Sequence, residues 1–225
     1  MRVTRELALP VLRALPWRAQ AAGAGLGLLI AGASRLAGGT PDAPLALTLL
    51  RTAILAHALG LAFLLDDPAR HTTATVPTRR ALRTALRLAL VAPVTALWWT
   101  AALLLVPSQV RPPVGALTLE AAAACVLALA AGAVAVRLTD APVPGPSVAA
   151  AFLFTAVVTP LLLPDRWDLL VPLGDERWGA AHERWAWVPA GAAVLWALCL
   201  PEPVRRRPRI ARIRFPSGTS SPSRT

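Results

Sequence analysis

The residues best suited to chemistry in this sequence are three ionisable side chains inside long apolar runs: Arg51, His57 and Glu120. A charge at membrane depth is costly, so such residues usually face protein or water and often pair with one another. Arg51 lies about eight residues, or ~12 Å along a helix, from the start of its run, and Glu120 about four residues from the start of its own. We expect either a buried ion pair between Arg51 and Glu120 or two side chains that reach the headgroups separately.

His57 lies nearer the middle of the run that contains Arg51. A lone histidine at this depth is more often hydrogen-bonded to a helix backbone than part of a proton path. Trp98 and Trp99 lie in the middle of another run. They either line a path for an aromatic or amphipathic molecule or provide packing and lipid-facing bulk.

A second group of charged residues separates two apolar runs, in the stretch 66–87. Asp66 and Asp67 end the first of these runs, and Pro77 suits the first turn of a following helix. The helical period then sorts the sequence into an apolar face and a basic face. The basic face carries Arg80, Arg83 and Arg87. Such an amphipathic helix binds anionic lipid, docks a cytoplasmic partner, or does both.

Six apolar runs must position these residues. They are 19–34, 43–65, 88–106, 116–136, 148–163 and 185–200. Hydrophobic residues make up 56% of the 225 positions and charged residues 16%, below the ~25% of a soluble domain. A helix needs ~20 residues to cross the hydrocarbon core, so the first, fifth and sixth runs require flanking residues. The sequence predicts an all-α, polytopic integral membrane protein with six transmembrane helices and amphipathic interfacial helices.

The arginines predict the orientation of these helices. With the N-terminus inside, seventeen of the 23 arginines fall on the inner side and five on the outer side. This asymmetry favours both termini in the cytoplasm of a multi-pass plasma-membrane protein, and it explains the net charge of +11 without nucleic acid. The predicted division is a leader 1–18, a transmembrane domain 19–204 and a basic, disordered tail 205–225. The domain includes a cytoplasmic loop 66–87 and an outer loop 164–184.

Smaller patterns complete the prediction. Gly23 and Gly27 fit a close helix–helix contact in a retained first helix, although a cleaved signal peptide is an alternative for this run. Cys125 and Cys199 have no metal-ligand spacing and are interpreted as packing residues. The sequence contains no HExxH, GxSxG or serine–lysine signature, and no lysine with which to build a P-loop. We therefore expect no catalytic, metal or cofactor site in this chain.

In its layout the sequence resembles the permeases of ABC-2-type transporters, and in particular the small permease-like subunits of actinobacterial ABC transporters. The resemblance covers about residues 1 to 204 and involves no sharp motif. It is carried by the leader RELALPVLRALPWR, the loop DDPARHTTATVPTRRALRTALR and the outer stretch DRWDLLVPLGDERWGAAHER. In that family, the loop between the second and third spans holds a coupling helix.

The resemblance implies a second permease chain, identical or not, and a separate ATPase that holds ATP and Mg²⁺. It implies that Asp66, Asp67, Arg80 and Arg83, with Arg87 on the same face, lie near the ATPase contact. The expected direction of transport is export, and the substrate is unspecified. There are two alternatives. One is an accessory or scaffold membrane subunit without its own conduction path, which the scarcity of central polar residues favours. The other is a membrane-embedded enzyme.

Overall fold

The computed structural model describes residues 12–13, 15–66, 80–139 and 143–199. Within these residues it contains seven α-helices and no strands. The helices are α1 (Trp17–Ala31), α2 (Ala33–Leu36), α3 (Ala43–Leu61), α4 (Arg80–Leu105), α5 (Val114–Leu138), α6 (Gly145–Leu162) and α7 (Trp178–Cys199). A single 3₁₀ turn, Asp165–Trp167, lies between α6 and α7. The prediction of an all-helical chain is confirmed for this part of the molecule.

Four of these helices are long and apolar enough to cross a membrane: α3, residues Thr84–Leu105 of α4, α5 and α6. They correspond to the second to fifth predicted spans. The first predicted span is a helix of only 15 residues, shorter than the ~17 that a membrane crossing requires. The last helix, α7, has 22 residues, but its first turns carry His182, Glu183 and Arg184, which lower its hydropathy. The six-span arrangement therefore stays a prediction.

Local sequence explains where several helices begin. Asp42 caps α3, since its carboxylate accepts a hydrogen bond of 2.9 Å from the Leu45 amide, and Pro44 suits the first turn that follows. At α5 the residue before the helix is Pro113, which has no side-chain cap, and its ring fixes φ at −55°. These two starts lie at the same end of the bundle and fix the depths at which Arg51 and Glu120 lie.

Helices α1 and α3 pack antiparallel at very short distance, through glycines. A Cβ atom placed on Gly23 would lie 2.7 Å from the Ala56 carbonyl oxygen and 2.9 Å from the Gly60 Cα. One on Gly27 would lie 2.9 Å from the Ala53 carbonyl oxygen. The close helix contact predicted from the glycine pair is present, and it joins two helices of the same chain.

Helices α3 and α5 run parallel, because α4 returns the chain between them. Arg51 near the start of α3 contacts Glu120 near the start of α5. Ala62, just after α3, lies near Gly132 late in α5. The interior at this interface contains fully buried Leu50 and Leu117. The two helices thus carry their charged residues to the same depth.

Candidate functional site

Arg51 and Glu120 form a two-pronged ion pair between α3 and α5. Arg51 Nε donates to Glu120 Oε2 at 2.9 Å, and Nη2 donates to Oε1 at 2.7 Å. The side chain of Glu120 is 3% exposed and that of Arg51 is 15% exposed. Of the two arrangements that the sequence allowed, the structure contains the buried pair. This planar geometry fixes both side chains and is the strongest form of arginine–carboxylate contact.

The segment between α6 and α7 folds back onto this pair. Arg51 Nη1 donates to the carbonyl oxygen of Val171 at 3.0 Å, and Val171 itself is almost completely buried. The indole of Trp178, the first residue of α7, lies under the guanidinium, with 5.7 Å between the Arg51 Cζ and the ring centroid. The arginine therefore joins α3, α5, the 163–177 segment and α7 at one point.

His182 is the third member of the site, and the sequence analysis did not identify it. Its Nδ1 lies 2.9 Å from the Trp178 carbonyl oxygen, and its Nε2 lies 3.0 Å from Glu120 Oε1. The predicted sixth span began at Trp185, which left His182 in a loop, whereas α7 begins seven residues earlier. This earlier start is indicated by the spacing of Trp178, His182 and Trp185, which places the three residues on one helical face. Arg51, Glu120 and His182 are called the charged cluster below.

A cavity of about 580 Å³ lies beside the charged cluster, enclosed by α3, α5, α6, α7 and the segment after α6. Arg51 and Glu120 form its polar wall. The apolar part of its lining consists of Ile54, Leu55, Ala124, Leu127, Phe152, Ala156, Pro160, Leu163, Leu169, Leu170, Trp185 and Val188. Four threonines also line it: the hydroxyls of Thr48, Thr52 and Thr155 each donate to a carbonyl of their own helix, and Thr159 is the fourth. The cavity is apolar with one charged wall.

The 163–177 segment and α7 hold the mouth of this cavity together. Trp185 Nε1 donates to the Leu169 carbonyl oxygen at 2.8 Å, and Arg184 Nη1 donates to the Asp168 carbonyl oxygen at 3.1 Å. Arg184 also lies 5.6 Å from the centroid of the Trp167 ring. Asp168 lines the cavity at this end. Asp168 is therefore part of the lining, and Arg184 lies outside the lining but contacts the Asp168 backbone.

Four tryptophans between residues 167 and 187 differ in their surroundings. Trp167 and Trp187 are exposed, as residues at a membrane surface should be. Trp178 and Trp185 are half-buried and instead contact Arg51 and the Leu169 carbonyl. Two of the four tryptophans thus belong to the candidate site.

A salt bridge within the 163–177 segment positions the start of α7. Arg177 donates from its side chain and its backbone amide to Asp175, with distances of 2.8 Å in both cases. These contacts lower the pKa of Asp175 to about 2. The carboxylate therefore stays charged at any pH above that value, and the turn that precedes Trp178 keeps its ion pair.

His57, Trp98 and Trp99 serve packing rather than the cavity wall. The His57 and Trp98 rings stack at 4.0 Å, and His57 Nε2 lies 3.3 Å from the Thr95 hydroxyl, not from a backbone carbonyl as expected. Trp98 Nε1 donates to the Ala24 carbonyl oxygen at 2.8 Å. Both tryptophans are buried in the cluster formed by α1, α3, α4 and α5. They lie outside the cavity lining.

Asp66, one of the proposed partner contacts, forms hydrogen bonds with other residues of this chain. It is 6% exposed, and its Oδ1 accepts a hydrogen bond of 2.8 Å from the Gly145 amide at the start of α6. Arg87 donates to the Asp66 and Leu64 carbonyl oxygens at 3.1 and 3.2 Å. Asp66 and Arg87 thus join the end of α3 to α4 and α6. Asp67 and the side chains of Arg80 and Arg83 lie outside the described residues, so coupling to a partner stays a prediction.

We expect Asp66→Ala to lower the free energy of unfolding by about 1–2 kcal/mol, because the buried Gly145 amide loses its acceptor. Asp66→Asn keeps an acceptor oxygen and should retain near wild-type stability at neutral pH. Burial raises the pKa of Asp66, against the opposing effects of the Gly145 amide and Arg87. This carboxyl therefore contributes most stability below its unfolded pKa of ~4 and loses that contribution as the pH rises through the raised value.

Unfolding curves of both variants over this pH range check the assignment. Asp66→Asn should remove the part of the pH dependence that wild type shows from about pH 4 upward. Equal stability of the alanine and asparagine variants would show that the Gly145 contact is not the reason for the burial of Asp66.

Comparisons with known proteins return no match: no family model, no curated protein and no solved structure is similar to this chain. Within the described part of the chain, no three His, Cys, Asp or Glu side chains are grouped to hold a metal ion. The described site consists of the Arg51–Glu120 ion pair on the wall of a largely apolar cavity, with His182 beside Glu120.

Proposed function

We propose that this chain is the membrane-spanning subunit of an ATP-driven, ABC-type exporter, whose ATPase and second permease chain are separate polypeptides. The observation that carries the proposal is the cavity of about 580 Å³ beside the charged cluster. Its volume lies within the ~300–1,000 Å³ that small-molecule sites occupy, and its composition matches an amphipathic substrate.

The packing of α6 favours a substrate-handling role over a purely structural one. Only 11% of α6 is buried, against 44% of α5 and 56% of α3. A helix that borders a cavity and has few buried residues can move relative to its neighbours with little loss of packing. Movement of α6 would open the cavity toward the membrane or the second permease chain.

The proposal also includes the first and sixth predicted spans, which contain α1 and α7. In the six-span arrangement, α1 and its flanking residues would cross the membrane, and α7 would cross it with its polar first turns at the surface. The charged cluster and the cavity mouth would then lie in the outer half of the membrane, and the basic stretch at the start of α4 would lie on the cytoplasmic side.

An accessory subunit is the second candidate, and a specific observation favours it. The three ionisable groups inside the apolar runs have internal partners: Arg51 and Glu120 bind each other, and His57 contacts Trp98 and Thr95. A scaffold needs no free polar groups at membrane depth. Such a subunit would bind its partner chains without binding a substrate.

We expect the full-length chain to co-purify with the ATPase encoded by a neighbouring gene, and Arg80→Glu/Arg83→Glu to reduce recovery about tenfold or more. The physical reason is that two charge reversals place like charges against a surface selected to bind arginine. Arg166→Glu makes the same type of change beyond α6, at the other end of the bundle, and should leave recovery unchanged. Unchanged recovery with the double reversal would remove these arginines from the ATPase contact.

A further inference from the structure

The charged groups of the cavity lie toward one end, and the far end is apolar. Asp168, in the segment after α6, and the Arg51–Glu120 pair line the end nearer the starts of α3 and α5. Helix α6 begins beside the end of α3, so Phe152 lies at the far end of the lining. The α6 residues in the lining extend from Phe152 to Pro160, a rise of ~12 Å at 1.5 Å per residue. A ligand that fills this cavity meets charge at one end and a largely apolar wall along the rest.

Three charged side chains line the cavity: Arg51, Glu120 and Asp168. Arg51 and Glu120 neutralise each other through two hydrogen bonds. Asp168 is half-exposed and forms no ion pair within the part of the chain that the structure describes. One positive and two negative side chains leave the lining with an excess of one negative charge, which lies on Asp168.

The Asp168 carboxylate has acceptor capacity to spare. Its Oδ1 accepts a hydrogen bond of 2.9 Å from the Leu170 amide, and Oδ2 has no hydrogen bond from another described residue. Arg184 lies close by but binds the backbone instead: its Nη1 donates to the Asp168 carbonyl oxygen at 3.1 Å, and its Cζ lies 5.6 Å from the Trp167 ring centroid. A carboxylate in this arrangement can accept a hydrogen bond from a ligand or neutralise a ligand's positive charge.

An indole ring lies at the same end of the cavity. Trp185 is part of the lining, and its Nε1 donates to the carbonyl oxygen of Leu169, the residue after Asp168, at 2.8 Å. This bond ties the ring to the segment that carries the carboxylate. Aromatic faces attract cations, and quaternary ammonium groups in particular. A carboxylate and an indole at one end of an apolar cavity are the groups that recognise a positively charged nitrogen on an apolar molecule.

We propose that the cavity binds an amphiphile with one positively charged nitrogen, which lies against Asp168 and Trp185, while its apolar part lies along α6 toward Phe152. The volume of about 580 Å³ suits one such molecule. The proposal names the substrate class of the exporter, and as a statement about transport it rests on the proposed function. Binding itself requires only this chain.

Native mass spectrometry of the full-length chain in an uncharged detergent tests this proposal. The probes are three amphiphiles of similar chain length: decyltrimethylammonium, its neutral analogue with a carbon atom in place of the nitrogen, and decanoate. We expect one cation per chain, bound about tenfold or more tightly than the neutral analogue, and the weakest binding for decanoate. Equal affinity for the cation and the neutral analogue, or tighter binding of decanoate, would overturn the proposal.

Two substitutions that each remove one negative charge test the role of Asp168. Asp168→Asn keeps an oxygen for the Leu170 amide, and thermal unfolding checks that the variant folds. It should weaken binding of the cation about tenfold and leave the neutral analogue within about twofold of wild type. Glu176→Gln changes an exposed residue of the same segment outside the lining and should alter neither affinity. An equal loss of cation binding in both variants would show that net charge, and not Asp168, attracts the ligand.

A cavity-filling substitution tests the position of the apolar part of the ligand. Ala156→Trp should abolish binding of the cation and of the neutral analogue, whereas Val157→Trp, on the exposed neighbour outside the lining, should leave both unchanged. Intact binding in a folded Ala156→Trp variant would disprove binding in the cavity. These results do not depend on ATPase co-purification, so the ligand class and the transporter proposal can fail separately.

Discussion

Glu120→Gln is expected to lower the free energy of unfolding by about 3–5 kcal/mol, the largest effect that we predict for a single substitution. Glutamine has the size of glutamate but no charge. Arg51 would remain largely buried on the cavity wall without a counter-charge. The cost arises from this uncompensated cation more than from the lost hydrogen bonds.

Reversible unfolding in mixed micelles measures this effect, and Glu183→Gln is the matched control. Glu183 is exposed on α7, one residue from His182, so the same chemical change there should alter stability by at most about 0.5 kcal/mol. The double variant Arg51→Met/Glu120→Leu replaces the pair with apolar groups and should recover most of the loss. A Glu120→Gln variant as stable as Glu183→Gln would show that the pair is not buried as described.

Gly23→Leu is expected to have the second largest effect, about 3 kcal/mol, by separating α1 from α3. Even a Cβ atom at this position would overlap the Ala56 carbonyl oxygen and the Gly60 Cα, which are backbone atoms and cannot rotate away. Overpacking of this kind typically costs about 1–3 kcal/mol, and a branched side chain against two backbone atoms should reach the upper end.

Gly25→Leu is the control for this substitution, because nothing lies within 4 Å of a Cβ atom at Gly25 on the same helix. Thermal unfolding of both variants should separate them by several degrees, with Gly25→Leu close to wild type. A similar loss of thermal stability in both variants would indicate that leucine disturbs α1 itself and not its contact with α3.

The sequence was sufficient to predict the features that follow from local periodicity. The long apolar runs became helices, and the glycine pair in the first run became a close contact with α3. The positions of Arg51 and Glu120 along their helices also predicted that both lie at similar depths in the membrane. Their pairing was therefore one of the two arrangements that the sequence allowed. These properties depend on few residues at fixed spacing, so they are visible without the tertiary structure.

The parts that the sequence did not reveal depend on contacts between distant segments. His182 belongs to the site only because α7 begins at Trp178 and packs along α5, and its polar neighbours made that stretch look like a loop. The cavity results from the loose packing of α6 against α3, α5 and α7, a property of four helices together. Asp66 was identified only as the end of an apolar run and a candidate partner contact, and its bond to Gly145 joins residues 79 positions apart in the sequence.

The most direct test of the account is a cryo-electron microscopy structure of the full-length chain in a lipid bilayer. We predict that Arg51 and Glu120 are paired at 2.7–2.9 Å on the wall of an open cavity lined by α3, α5, α6 and α7. A structure in which α6 closes against α3 and α5 and leaves no cavity, or in which Arg51 and Glu120 are apart, would contradict the account.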